Sequence, residues 1–429
     1  MDAGGGRRRS PLSEHFAATV AEVLAGNDIP ALLRRWHSTP TIAYAVKLRH
    51  GIGAVNITAS HNPPTDNGYK VRDPNGGAID PAGLKEIEAH IPAEASSCRQ
   101  MAFKAGVNAG LIMEFDPVPA YVEQLKRLVS LEPIRQAGFK IMVDPMWGQR
   151  RRLADAPAQR RQDRGLRSTQ RAQPDLPGDV AAEPIPPNVD AGWRGRKIGA
   201  DVIAITDGDA DRCGWGDENG DFVDQLSAHA LLAMYLLDVR GERGPIVKTL
   251  STTSMLDKLG QRFGVQVIHT GVGFKYVAPA ADQIRCADWR RGERRLRLPQ
   301  SRAGARRHPE QPVSARPDGA HGLRPTQLLD RLFNLVGGPH YYDRIDFRLP
   351  DLAFAAAARK GLDTAQPASV GGKKIVDKVT TDGYKFVMED GGWLLIRFSG
   401  TEPLIASLLR PWIKARCRPS CRMGCAWPV

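Results

Sequence analysis

Three carboxylates stand on alternate residues in Asp207-Gly-Asp209-Ala-Asp211, directly after the apolar run from Ala200 to Ile205. Carboxylates spaced this way on a loop leaving a strand suit one hard cation held by oxygen, and Mg²⁺ is the natural choice beside a phosphate. Arg212 follows at once and offers a fork of donors to phosphate oxygens. A solvated acidic turn and a calcium loop are the competing readings. The calcium loop needs flanking helices, which Glu218, at the place of its bidentate glutamate, does not have. A second group lies in Gly53-Ala-Val-Asn-Ile-Thr-Ala-Ser60-His61-Asn-Pro-Pro-Thr-Asp-Asn67-Gly-Tyr-Lys70. Its apolar residues Ala54, Val55 and Ile57 read as a buried strand entering a tight loop, which sets the Ser60 hydroxyl on a stiff turn beside His61 and a cationic Lys70. A third, Arg397-Phe-Ser399-Gly400-Thr401, brings a guanidinium, two hydroxyls and backbone N–H groups together as an anion cradle. Gly271-Val-Gly-Phe-Lys275 adds a lysine near glycines, which alone is an ordinary loop.

The elements that must hold these loops alternate. Ser13 to Gly26 reads as a helix with a stripe of Phe16, Val20, Val23 and Leu24, stopped by Gly26-Asn27. Ile29 to Leu33 is a short strand, Ser38-Thr-Pro-Thr opens a helix through Val46, and Pro81 to His90 is another helix. Residues 117–138 read as one helix with a stripe of Tyr121, Leu125, Leu128 and Val129, and Phe139 to Val143 as a strand. Glu218-Asn-Gly220-Asp is a hairpin turn. Beyond it come a helix over 225–238, a strand over 245–249, a helix over 253–263 and a strand over 265–269. Residues 338–412 form a smaller α+β unit, in which the strand Trp393–Ile396 leads into the Arg397 loop. Alternation of this kind predicts α/β layers.

Thr58-Ala-Ser60-His61-Asn-Pro, followed by Asn67-Gly-Tyr-Lys70, resembles the active-site loop of the α-D-phosphohexomutases, the phosphoglucomutase/phosphomannomutase family. The other three loops follow in that family's order. The resemblance covers roughly 13–148, 183–285 and 323–412. It implies three mixed α/β domains and a smaller C-terminal α+β domain, divided as 1–115, 116–223, 224–336 and 337–429. It implies an intramolecular phosphotransferase interconverting hexose 1-phosphate and hexose 6-phosphate, with phosphomannomutase and phosphoglucosamine mutase as near alternatives. Ser60 would be the phosphoserine and, with Asp207, Asp209 and Asp211, a ligand of Mg²⁺. His61 and Arg212 join it in the catalytic loops, and Lys70 is a candidate general acid/base. Arg397, Ser399, Gly400 and Thr401 would grip the substrate's phosphate, and Lys275 would face the substrate. A hexose 1,6-bisphosphate is the implied intermediate and activator, and a monomer or homodimer the implied assembly.

Two segments depart from this pattern. The chain carries a formal net charge of +13 over its 429 residues. Residues 150–182 hold eight Arg against four Asp, and residues 285–324 hold eleven Arg against four acids, so these two segments supply +11 of the +13. Neither shows a helical or strand period. The second stands where the family's sugar-reading loop, Gly-Glu-[Glu/Met/Gln]-Ser-Gly, is expected. Read one base out of step through synonymous codons, Asp288 to Gln300 permits IGGEESGGFGFR, and Gln149 to Arg164 permits NGAGWLTRLLSGGKTE. These strings suit the flanking text, and the first favours glucose phosphates. Frameshifted text over 149–182 and about 287–322 is therefore expected, and after about Ala415 as well, which accounts for Cys417, Cys421 and Cys425. Genuine basic, disordered insertions are the alternative. As written, the chain is expected to turn over weakly or not at all while keeping phosphorylation of Ser60. A Gly-Thr-[Asp/Ser]-Gly-x-Arg-Gly opening is not found, so part of the first domain and a phosphate-contacting arginine are expected to be missing. Ala406 stands where the family often carries an arginine.

The basic charge admits a nucleic-acid-binding protein, but the Arg-rich segments lack interleaved aromatics apart from Trp289, and no nucleic-acid partner is expected. No run of eighteen apolar residues or leader-like segment occurs, and the six cysteines form no framework, so a reducing cytoplasm and no membrane partner are expected.

Overall fold

Helix α1 (Ser13–Gly26) buries its small face. Ala21 and Ala25 pack with Ala31 and Ile112, Leu24 is partly buried beside them, and Phe16 stays 45% exposed. The core thus takes the small side of the helix rather than the Phe16 stripe. Gly106 packs against the same cluster: an added Cβ there would stand 2.6 Å from Ile112 Cδ1, and Ala25 Cβ lies at contact distance, 3.4 Å. The computed structural model describes residues 12–33, 37–60, 66–146, 184–185, 188–189, 199–273, 276–277, 279–281, 322–398 and 404–409. The chain divides into two compact units, Met1–Ala228 with Arg285–Leu328, and His229–Ile284 with Leu329–Val429.

In the first unit, strand β1 (Ala31–Leu33) pairs in parallel with Ile112–Glu114. Helix α2 (Thr39–Arg49) starts from Ser38, with Pro40 in its first turn, where the missing N–H costs nothing. Strands β2 (Ala54–Ile57) and β3 (Tyr69–Arg72) form an antiparallel hairpin with Asn56 opposite Lys70 and Ala54 opposite Arg72. Because side chains alternate along a strand, Asn56, Thr58, Lys70 and Arg72 fall on one face. Helix α3 (Pro81–Ala89) is capped by Asp80, whose carboxylate accepts from Gly83 N–H at 2.7 Å. After α4 (Phe103–Asn108) and β4 (Ile112–Glu114), the single helix expected over 117–138 is two, α5 (Val118–Leu128) and α6 (Glu132–Ala137). Val129 is extended at φ −125°, which ends α5, and Pro133 sits in the first turn of α6, where its missing N–H costs nothing. The apolar stripe of α5 leaves Leu125 and Val129 exposed, with Tyr121 stacked at a tilt on Tyr44. Strands β5 (Ile141–Asp144), β6 (Val202–Thr206), β7 (Cys213–Gly216) and β8 (Phe222–Val223) make one sheet, parallel between β5 and β6 and antiparallel thereafter. Its core holds Met142, Ile203 and Ile205. Asp217 closes the β7–β8 turn by accepting from the N–H groups of Asn219 and Asp221.

The helix expected over 225–238 is α7 (Gln225–Met234), followed by a π-helical turn over Tyr235–Val239. Parallel strands β9 (Ile246–Thr249) and β10 (Val267–Thr270) flank α8 (Met255–Phe263). Leu256 and Leu259 of α8 pack with Met234 and with Leu332 of α9 (Pro325–Val336). Lys248 on β9 is 1% exposed and is satisfied by Thr253 C=O and Asp257, which also takes His269. A six-stranded antiparallel sheet then carries the C-terminal part. It comprises β11 (Asp343–Arg348), β12 (Ser369–Val370), β13 (Lys373–Val379), β14 (Tyr384–Met388), β15 (Trp393–Phe398) and β16 (Leu404–Leu409), in the order β11-β16-β15-β14-β13-β12. Helix α10 (Leu352–Thr364) covers one face through Ala355 and Leu362. The C-terminal part thus combines a helix with an antiparallel sheet, and the chain as a whole is mixed α/β. Among the described residues no helix is long and apolar enough to cross a membrane, and Cys98 and Cys213 are free.

Candidate functional site

Strand β6 delivers Asp207, Asp209 and Asp211 to the edge of the β2–β3 hairpin. Asp207 and Asp209 are buried and Asp211 is exposed, and oxygens of all three lie within 4.8 Å of one another. The serine and aspartate loops touch backbone to backbone. A Cβ on Gly208 would stand 2.7 Å from the Ser60 carbonyl oxygen, so only glycine permits this approach. Two non-glycine residues take left-handed backbone here, Ser60 at φ 53° and Ala210 at φ 57°. Such strain persists where surrounding contacts fix it. At Ser60 the fixing contact is its N–H bonded to Thr58 Oγ1 at 2.9 Å.

The Ser60 hydroxyl donates to Asp207 Oδ2 at 3.3 Å and accepts from an Arg212 guanidinium N–H at 3.1 Å. Arg212 also closes on the acids, with Nε 3.6 Å from Asp207 Oδ2 and 3.7 Å from Asp211 Oδ1. Its backbone N–H donates to Asp207 Oδ1 at 3.1 Å. Asp209 Oδ2 receives three donors: Thr39 Oγ1 at 2.9 Å, Thr58 Oγ1 at 3.1 Å and Lys70 Nζ at 3.5 Å. Lys70 Nζ is also 3.9 Å from Asp211 Oδ2. Behind Thr39, Asn56 donates to Thr39 Oγ1 at 3.1 Å and accepts from Arg72 Nε at 2.9 Å.

Burial pushes the Asp207 carboxyl up to about 7, helped by the charges of Asp209 and Asp211 and opposed by Arg212. Burial would also raise Asp209, but Lys70, the hydroxyls of Thr39 and Thr58, and Asp207 outweigh it and hold that carboxyl below its ordinary value. Asp209 Oδ1 is buried and has no hydrogen-bond partner among the described residues. A buried carboxylate oxygen left bare, within a triad of hard oxygen donors, fits a divalent cation such as Mg²⁺.

Of the residues singled out from sequence, Ser60, Lys70, Asp207, Asp209, Asp211 and Arg212 come together in the first unit. Arg397 lies in the second, on β15, where its Nε stands 3.3 Å from both oxygens of Asp382. Asp382 also accepts from Val272 N–H at 2.7 Å, which ties the Gly271-Val-Gly turn to the start of β14. His61, Lys275, Ser399, Gly400 and Thr401 lie outside the described residues, as do the segments read as frameshifted. Sequence reading passed over Thr39, Asn56 and Arg72. Asn56 interrupts an otherwise apolar strand, and Arg72 follows Lys70 at strand spacing, so a polar face was the available signal.

Three family models match in succession: phosphoglucomutase/phosphomannomutase α/β/α domain I over residues 7–97, domain II over 119–220 and domain III over 224–288. A phosphoglucomutase/phosphomannomutase of Thermococcus kodakarensis is 30% identical over 372 residues, 86% of this chain and 76% of that protein. The chain belongs to the phosphoglucomutase/phosphomannomutase family. A Pyrococcus abyssi protein described as a phosphoglucosamine mutase is 29% identical over 417 residues, 94% of this chain and 85% of that one. A solved structure from Thermus thermophilus, described as a phosphomannomutase, superposes with a TM-score of 0.68 at 26% identity, covering 94% of this chain and 84% of that one. Membership makes this a phosphomutase-type, intramolecular phosphotransferase chain of the phosphohexomutase superfamily, whose members act on phosphorylated sugars.

Proposed function

We propose that the chain interconverts hexose 1-phosphate and hexose 6-phosphate through phosphorylated Ser60, with Mg²⁺ and with glucose phosphates preferred. The observation that carries this reading is the Ser60 hydroxyl held between Asp207 and Arg212 at the mouth of the carboxylate triad. In the dephosphorylated chain Asp207 accepts a hydrogen bond from the Ser60 hydroxyl and holds it at the triad, while Arg212 presents donors where phosphoryl oxygens would sit. Phosphoryl transfer depends on such positioning and charge stabilisation rather than on covalent help from many groups. Ser60, Asp207, Asp209 and Asp211 would hold the Mg²⁺. When bound, the ion neutralises charge on the transferring phosphoryl oxygens. The Ser60 Oγ–P bond breaks as a new O–P bond forms to the free sugar hydroxyl, whose proton passes by way of a general acid/base, for which Lys70 is the candidate, to Ser60 Oγ, and a hexose 1,6-bisphosphate results. After the sugar reorients, its other phosphoryl returns to Ser60. Arg397, with Ser399, Gly400 and Thr401, grips the non-reacting phosphate, and Lys275 faces the sugar. His61 belongs to the serine loop. The four-domain division, a cytoplasmic location and a monomeric or homodimeric state complete the reading.

Incubating the purified chain with glucose 1,6-bisphosphate and Mg²⁺ tests it. Intact mass should rise by one phosphoryl group, mapped by peptide digestion to Ser60, and a Ser60→Ala variant should stay unmodified. No transfer to Ser60 under these conditions refutes the proposal. A second reading, a catalytically impaired relative, is favoured by the text at 285–324, which lacks the Gly-Glu-x-Ser-Gly string as written. It predicts Ser60 phosphorylation with little turnover of glucose, mannose or glucosamine phosphates. Resequencing the gene across the codons for 140–190 and 280–330 separates the two, since compensating single-base changes would restore the sugar loop.

A further inference from the structure

Arg72, Asn56 and Thr39 form a hydrogen-bonded chain whose direction is set by chemistry. A guanidinium donates only, so the Asn56 atom facing Arg72 Nε at 2.9 Å must be its carbonyl oxygen. The amide's NH₂ then faces Thr39 and donates to Oγ1 at 3.1 Å. With that lone pair occupied, the Thr39 hydroxyl proton points at Asp209 Oδ2, 2.9 Å away. Arg72 is itself held by donation to Gly76 C=O at 3.0 Å. Thr39 and Asn56 are 5% and 3% exposed, so water has little access to reverse the chain.

Its effect falls on one carboxylate. Asp209 Oδ2 is filled by Thr39, Thr58 and Lys70, while Oδ1 is buried and bare. We propose that Arg72, Asn56 and Thr39 are positioning residues that lock Asp209 so that only Oδ1 is presented to the divalent cation. The inference rests on the metal-site reading above and goes beyond it, because it assigns a role to three residues outside the carboxylate triad. Partners behind a ligand hold its orientation and its basicity, and their loss typically weakens metal affinity by roughly 10- to 100-fold. Bonds that run in one direction also reinforce one another, so Asn56 should act through Thr39 rather than beside it.

The test is Mn²⁺ binding to the full chain, followed by electron paramagnetic resonance, with melting in chelator as the check on folding. Wild type should bind, and Asp209→Asn should not. Thr39→Val keeps the shape and removes the donor, and it should weaken Mn²⁺ binding by roughly 10- to 100-fold. Thr39→Ser should restore it. Asn56→Leu should weaken binding in the wild-type background and add little in the Thr39→Val background. Thr39→Val binding as tightly as wild type, or independent addition of the two effects, overturns the proposal while leaving the metal site standing. Failure of the wild-type chain to bind Mn²⁺ overturns the proposal and the metal reading together. If Thr39→Val does not fold, Asn56→Leu against Thr39→Ser decides. Weakened binding in the first with normal binding in the second supports the chain, and equal binding in both overturns it.

Discussion

Replacing Gly208 by alanine strikes a place where the serine and aspartate loops meet without side chains. The new Cβ would lie 2.7 Å from the Ser60 carbonyl oxygen, whereas ordinary contact begins at 3.4 Å. The carbonyl must therefore retreat by about 0.7 Å, because backbone cannot turn aside as a flexible side chain does. Ser60 has little slack, since its φ is already 53° and its N–H is tied to Thr58. A shift of that size carries Oγ out of reach of Asp207 Oδ2, now at 3.3 Å, and loosens the 3.1 Å contact with Arg212. Overpacking should cost about 1–3 kcal/mol of stability. Misplacement approaching 1 Å should slow phosphoryl transfer by roughly 100-fold. Single-turnover transfer from glucose 1,6-bisphosphate to Ser60, read by intact mass, measures the rate, and thermal melting measures the stability. Ala210→Gly is the control in the same loop. Alanine at φ 57° is strained, so glycine there should leave stability level or raise it, by up to about 1 kcal/mol. Gly208→Ala transferring phosphate at the wild-type rate with an unchanged melting point would refute the claim that this backbone contact sets the site.

Three further outcomes follow from the same geometry. Burial, with the Asp209 and Asp211 charges behind it, puts Asp207 up at about 7, so the metal-free folded chain holds a proton there that the unfolded chain releases near 4. Stability in chelator should fall as pH rises from about 4 to 7, and Mg²⁺ should recover it most at the upper end; a melting point rising with pH throughout this window in chelator refutes the assignment. Asp257→Asn removes the carboxylate charge beside Lys248, which is 1% exposed and keeps its bond to Thr253 C=O, and should cost about 3 kcal/mol in chemical denaturation, far more than the exposed partner His269→Gln. Arg212→Lys cannot reach Ser60 and both acids with one point charge, and should slow Ser60 phosphorylation by about 100-fold while leaving melting nearly unchanged.

The loops that carry chemistry were legible because their residues are dense in sequence. Asp207, Asp209 and Asp211 sit on alternate positions, and Ser60 ends an apolar run. The strands read over 29–33, 54–57, 139–143, 200–205, 245–249, 265–269 and 393–396 were legible from their apolar runs, with ends displaced by up to two residues, and the helix read through Val46 runs on to Arg49, while α4, α10 and strands such as β3, β4 and β7 were not placed one by one. What escaped was whatever depends on long-range closure. Thr39 meets Asp209 from 170 residues away, and nothing local to either announces the other. The Phe16 stripe misled because a close-packed partner with Gly106 selects the alanine face of α1 instead. The break between α5 and α6 falls at extended Val129 and was hidden by the apolar stripe that runs through it. The sugar-reading loop was illegible for another reason, since its stretch of chain carries Arg-rich text in its place.

The hairpin register has a consequence for how this protein can vary. Asn56 lies opposite Lys70, and Thr58 and Arg72 stand two positions along their strands, so one pleat presents all four side chains together. Deleting or inserting a single residue within 54–58 would reverse that pleat. The β2 groups beyond the change would turn away from Lys70 and Arg72, which keep their place on β3, with Ser60 itself still present. Changes of two residues keep the pleat in phase, whereas a change of one separates the β2 donors to Asp209 from the β3 cations that share their face.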